Sequence, residues 1–213
     1  ITQNISRYVI DVDQPPYDLN RLVLDEQSQS SSSFCYTSKG IIPLFTSNQD
    51  WLLAKKLSLS EIQRRVKEYY FPYHEQIKQI GNSLKEKNGF VIIVHARSMC
   101  SHGKAIHRDT GSIRSDIDLG SHFAKSCHKD IIEFSFEFFR SSGLKATMNS
   151  VHSGGFCNSI YGKPQKKAHS LQIEINRALY MDESAFQKHE KNFHELKTLL
   201  FQYLDQLAAL NFS

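Results

Sequence analysis

The sequence has no closely spaced cysteine pair. Its four cysteines, Cys35, Cys100, Cys127 and Cys157, are scattered along 213 residues with no CxxC among them. That spacing excludes a zinc knuckle and a compact disulfide framework, and it fits reduced thiols in the cytoplasm. No apolar run approaches the roughly 20 residues a membrane span needs; the longest, Phe90 to Val94, reads as a strand. No basic run interleaved with aromatics accompanies the net charge of +4, so no nucleic-acid partner is expected. No signal peptide opens the chain, which begins at Ile1 and runs almost at once into a strand pattern. It therefore reads as a piece trimmed at its N-terminus. No internal repeat and no clean linker divide it, and the expectation is one domain over residues 1–213.

What is present is ordinary globular material, 40% apolar and 23% charged. Ser6 to Val12 reads as a short strand ended by Pro15-Pro16. Gln27 to Ser33 is a serine-rich loop, and Phe34–Thr37 with Ile41–Phe45 suggests a hairpin-like segment. A helix is predicted from Ser60, with Ser60 and Gln63 as a capping box. Pro72 should kink or split it, and Gly89 should close it. Phe90 to Val94 then reads as a strand of the kind buried on both faces. A long polar loop follows, carrying His95, His102 and His107 and ending in Arg114 to Gly120. Asp130 to Ser141 is an amphipathic helix stopped by Gly143. Leu144 to Asn149 is a short strand, and Gly154-Gly155 a turn. Glu183 to Leu210 is a final helix or helix pair with an apolar stripe. Helices alternating with strands place the chain in the α/β class, with a mixed, mainly parallel sheet covered on both faces.

The stretch His169 to Glu183 organises the rest. Leu171, Ile173 and Ile175 alternate with Gln172, Glu174 and Asn176, the period of a strand. Glu174 thus stands near a strand's C-terminal end with Arg177 just beyond, where α/β sheets bind ligands. An exposed ion pair on an edge strand is the competing reading. Arg97, Arg114 and Arg177 all fall at strand ends or in the long loop; converging guanidinium groups suit an anionic ligand. The alternative is pairing with Asp116 or Asp118. Gly154 and Gly155 permit close backbone approach to a ligand, or a tight turn alone. Of the loop histidines, His95 is best placed to ligate a metal. Cys100 is a conceivable nucleophile beside them.

Taken together, these residues resemble the N-formylglutamate amidohydrolase family. The resemblance rests on the opening SRYVIDV segment with its prolines, Phe34-Cys35-Tyr36-Thr37, Ile42-Pro43-Leu44-Phe45 and Tyr70-Phe71-Pro72-Tyr73-His74. It continues through Arg114 to Gly120, Ser126-Cys127, Gly154-Gly155-Phe156 and Tyr161-Gly162-Lys163-Pro164, and above all through His169 to Glu183. It implies a three-layer α/β/α sandwich like that of zinc-dependent exopeptidases. It further implies hydrolysis of a small anionic amide, with zinc or another divalent metal activating water and a carboxylate carrying the proton. Glu174 becomes the catalytic group, with Arg114, Arg177, Arg97, Gly154 and Gly155 as substrate-binding residues and His95 as the metal ligand.

The chain departs from the family pattern in four places. The proline-histidine-serine-glycine segment and the acidic segment after it, which supply the first metal ligands, would lie before Ile1. The aspartate-x-histidine-serine motif is His95-Ala96-Arg97-Ser98, and an arginine cannot deprotonate to bind metal. The asparagine-arginine pair is Asp13-Gln14, and the arginine-histidine pair is Ser159-Ile160. Three readings stay open: a metal-dependent amidohydrolase, a metal-free homologue that binds an anionic ligand, or a metal-independent hydrolase using Cys100 or Glu174.

Overall fold

A computed structural model describes residues 1–29, 40–46, 48–105 and 107–210. The segment Phe34–Thr37, the serine-rich loop beyond Gln29 and Cys35 lie outside them. The chain falls into two compact units, Ile1–Val91 and Ile92–Ser213.

The first unit is mostly loop wrapped along one long helical segment. The residues expected to form the opening strand instead form a turn over Arg7–Val9, with Ser6 O accepting from Val9 and Ile10 N–H. Ile41–Phe45 makes no strand either; Phe45 forms an isolated bridge with Trp51. Arg21–Val23 is a 3₁₀ turn capped by Asn20, and α1 (Glu26–Gln29) is a single turn. Helix α2 (Leu59–Arg65) starts one residue before Ser60: the Ser58 side chain accepts from the Glu61 N–H, in place of the Ser60–Gln63 box. A π segment, Val66–Tyr70, joins it to α3 (Phe71–Asn88). Pro72 explains this break, because it has no N–H to continue the ladder. The Phe71 N–H just before it reaches back to Val66 O, and the register shifts there. Gly89 closes α3 at φ +80°. Three side chains of this segment hold the opening residues: Arg65 donates to Val9 O, Tyr70 donates to Gln14 O, and His74 Nε2 bonds Val12 O at 3.0 Å.

The second unit is a mixed α/β sheet flanked by helices. Its strands are β1 (Val91–Met99), β2 (Ile117–Gly120), β3 (Ala146–Met148) and β4 (Ala168–Asn176), in the spatial order β1-β4-β2-β3. β2 runs parallel to β3 and antiparallel to β4. β1 is therefore an edge strand and mostly half-exposed, not buried on both faces. The strand that is buried on both faces is β4. β2 stands where the sequence pattern indicates the end of a loop, since only Ile117 and Leu119 mark its period of two.

Ile117, Leu119, Leu171, Ile173 and Ile175 point to one face and form the core with α4 (Lys129–Ser141) and α6 (Glu190–Ala208). Tyr203 is fully buried there, its ring 4.8 Å from Phe139 and its hydroxyl 2.8 Å from Ser135 Oγ. α6 begins at Glu190, not Glu183. Residues 181–188 form a small hairpin of β5 (Met181–Asp182) and β6 (Gln187–Lys188), which leaves Phe186 exposed at its turn. The opposite face carries polar residues and α5 (Phe156–Tyr161), a helix that its shortness and Gly-rich entry hid in the sequence.

Candidate functional site

Period-two alternation sends Ser170, Gln172, Glu174 and Asn176 to the face of β4 away from the core. Asp118 of β2 is the direct cross-strand neighbour of Glu174. On β1, Ile92 and Val94 pack against the core, so His95 and Arg97 share the polar face. The sheet thus gathers two carboxylates, a guanidinium and an imidazole, contributed by three strands, beside the backbone that leads into α5.

Glu174 is only 3% exposed. Its Oε1 accepts from Gln172 Nε2 at 2.8 Å, and Arg97 Nε lies 3.6 Å away. The same Gln172 takes the Gly155 N–H on its Oε1. Gln172 therefore ties the carboxylate to the Gly-rich loop. That loop is pinned further by Asp118, which is fully buried. Asp118 Oδ1 accepts from Thr147 Oγ1 and Ser150 N–H, and Oδ2 from the Val151 and His152 N–H groups, both at 2.8 Å. Gly120 has no side chain for a reason: a Cβ there would lie 2.7 Å from both Gly154 N and His152 O. Gly154 adopts φ +124°, and a Cβ on it would press the His122 ring. The two glycines of the motif thus carry the chain closely over the sheet and start α5.

His95 bonds Ser170 Oγ through Nε2 at 2.9 Å, and its ring stacks near-parallel on Tyr161. Arg114 is 5% exposed and is committed to Asp109, with Nε and Nη2 gripping both carboxylate oxygens at 2.7 and 2.9 Å. This fork holds the Asp109 carboxyl below the usual carboxylate range. Arg114 Nη1 also meets Cys100 Sγ, whose thiol donates to His102 O. Arg177 pairs with Glu183 at 2.9 Å, beyond the end of β4, and not with Glu174. Glu183 in turn accepts from both the backbone and the hydroxyl of Ser101. The structure therefore brings Glu174, Arg97, Gly154, Gly155 and His95 to one face. It places Arg114 and Arg177 in ion pairs of their own. His102 and His107 sit in the loop after β1, bonded to Ser101 Oγ and to the Lys104 N–H.

Among the described residues, no three His, Cys, Asp or Glu side chains gather to hold a metal ion. His95 has no second and third donor around it, and Arg97 brings a fixed positive charge to the same face. The described residues of this face do not by themselves fit a divalent cation.

Sequence reasoning passed over two residues. Asp118 enters the sequence argument only as an arginine's partner, although its alternation with Ile117 and Leu119 marks a strand. His152 carried no signal beyond its place two residues before Gly154. Its Nδ1 is buried with no hydrogen-bond partner among the described residues, 3.9 Å from Asp118 Oδ2. Burial pushes its pKa down and the Glu174 charge pulls it up, with the net direction downward. A groove of about 650 Å³ opens between Val94, Ile173, Phe193 and Leu200, and Arg97 at the sheet edge and Lys197 also line it. It holds no carboxylate or imidazole.

The sequence profile of the family described as N-formylglutamate amidohydrolase matches residues 1–181. An N-formylglutamate deformylase of Pseudomonas aeruginosa is 26% identical over 188 residues, covering 87% of this chain and 65% of its own length. One from Pseudomonas putida is 25% identical over 213 residues, covering 98% of this chain and 74% of its own. The chain thus spans about two thirds of the first relative. The crystal structure of an N-formylglutamate amidohydrolase from Ralstonia eutropha superposes with a TM-score of 0.81 at 23% identity, covering 95% of this chain and 73% of that one. A gene product of Agrobacterium tumefaciens gives 0.57 at 16%, covering 96% and 69%. These two likenesses show the fold.

Proposed function

The chain belongs to the N-formylglutamate amidohydrolase family, and from that premise we propose that it hydrolyses the amide of a small, anionic N-acyl amino acid of the N-formylglutamate type. The observation that carries this reading is Glu174: a carboxylate 3% exposed, on the polar face of the central strand, held by Gln172 and faced by Arg97. A water oxygen attacks the acyl carbon; Glu174 takes the water's proton and passes it to the leaving nitrogen. The C–O bond forms as the C–N bond breaks, releasing the carboxylic acid and the amino acid. Arg97 stabilises negative charge beside the carboxylate, as an anionic substrate and a developing oxyanion both require.

A second reading has its own observation. Arg97 Nε lies 3.6 Å from Glu174, so a permanent cation shares the face on which the family resemblance calls for a metal. A metal-free homologue would use that charge to bind an anionic ligand without turnover.

The deciding experiment measures formate release from N-formylglutamate together with elemental analysis of protein dialysed without chelator. Formate release lowered on the order of 10² to 10⁴-fold by Glu174→Gln supports hydrolysis. Binding of N-formylglutamate with no formate and no metal taken up, together with a gain of zinc affinity in Arg97→His, establishes the second reading and overturns the first.

A further inference from the structure

His152 lies in the middle of the loop that crosses the polar face, and no role in the family resemblance falls on it. Its backbone N–H is fixed to Asp118 Oδ2, and Asp118 stands directly across from Glu174 in the strand register. The groups acting on its ring are Glu174 from β4, Asp118 from β2, Arg97 from β1 and Arg114 from the loop before β2. A buried polar atom normally has a partner, yet Nδ1 has none among the described residues. Asp118 Oδ2 does not serve: it already takes two backbone N–H groups, and 3.9 Å is too long for a hydrogen bond.

The carboxylate still decides the tautomer. A lone pair turned toward a carboxylate oxygen 3.9 Å away is repelled, whereas a proton is attracted. That repulsion favours the neutral tautomer with its proton on Nδ1 and its lone pair on Nε2. The side chain is 29% exposed while Nδ1 is buried, so the ring's open edge is the one away from Nδ1.

We propose that His152 is a specificity-determining residue of this site, its Nε2 accepting the N–H of the amide to be cleaved. The inference rests on the amide-hydrolase reading above and adds a substrate class: secondary amides that still carry an N–H. A nitrogen bearing a methyl group in place of that hydrogen offers His152 nothing to accept and leaves the lone pair desolvated.

The test compares N-formylglutamate with its N-methyl analogue by calorimetry, in the Glu174→Gln background to prevent turnover. The expected preference for the N–H compound is about 10-fold, the value of one such hydrogen bond. Adding His152→Phe, a ring of similar shape without nitrogens, should bring the two within about 2-fold, and His152→Gln, which returns an acceptor, should restore part of the preference. Equal binding of both compounds by the parent overturns the proposal. So does a preference that survives His152→Phe, which would mean that crowding sets it. If neither compound binds, the amide-hydrolase reading fails and this inference falls with it, an outcome distinct from binding without discrimination.

Discussion

Arg114 shows how one side chain suited to a substrate carboxylate can also carry an ion pair of the fold. A guanidinium in a polar loop fits a substrate carboxylate, and the family resemblance assigns it one. In the folded chain both of its forked nitrogens hold Asp109, and its third meets Cys100. Arg114→Met should therefore cost stability, on the order of 1.5–3 kcal/mol for hydrogen bonds to charged groups, visible as a lower urea midpoint at unchanged slope. A rise in KM with full stability would return Arg114 to the substrate. The pair also sets a sign. Asp109 is held below its ordinary value, so its contribution is present above the unfolded pKa and is lost as pH falls through the folded value. That acid-side loss should shrink in Arg114→Met. Arg177 teaches the same lesson. Its place beside Glu174 in the sequence suggested a pair, but the 3₁₀ turn Arg177–Leu179 carries it past the strand end to Glu183.

Among the elements, β2 matters most to the site. It is only Ile117–Gly120, yet it supplies two core residues, the buried Asp118 and the bare Gly120 over which the loop passes. Gly120→Ala would bring a methyl group within 2.7 Å of two backbone atoms, Gly154 N and His152 O, and neither is the end of a flexible chain. The expected cost is about 1–3 kcal/mol, read by denaturant unfolding. The loop holding His152 should move with it, so any N-formylglutamate binding should weaken in the same variant. If neither quantity changes, the close crossing of loop and strand is wrong. Element type was legible wherever the period was long. Lys129–Ser141 matches the helix expected there to within a residue, and Ala168–Asn176 contains the alternating run from Leu171 and ends with it at Asn176. β2 and α5 are too short for a period to declare itself. The opening SRYVIDV segment had the strand composition but found no partner strand, and it became a turn bonded to α2 and α3 instead.

For the whole molecule, buried histidines set the pH response. Burial lowers the pKa of His74 in the first unit and of His152 and His169 in the second. Each unfolded histidine binds its proton near pH 6.5, before the folded one does. Stability is therefore complete above that pH and falls as pH drops below it toward the folded values. Unfolding midpoints should decrease between pH 7 and 5. A midpoint flat across that window would show that these rings are not buried neutral. No helix among the described residues is long and apolar enough to cross a membrane.

What the sequence determined by itself is whatever local pattern can encode. The alternation of Leu171 to Asn176 put Glu174 on a polar strand face, Gly89 ended a helix, and the motifs from Arg114 to Glu183 carried the family. Which groups meet follows from the folded chain alone. The edge position of β1 brings Arg97 to 3.6 Å from Glu174 across 77 residues of chain, Asp118 gathers the loop from Ser150 to His152, and the arginines divide between the site and partners of their own. The reason is physical. A strand's period is a property of neighbouring residues, but an ion pair or a buried nitrogen depends on register and on chain folded back from far away, which no local pattern records.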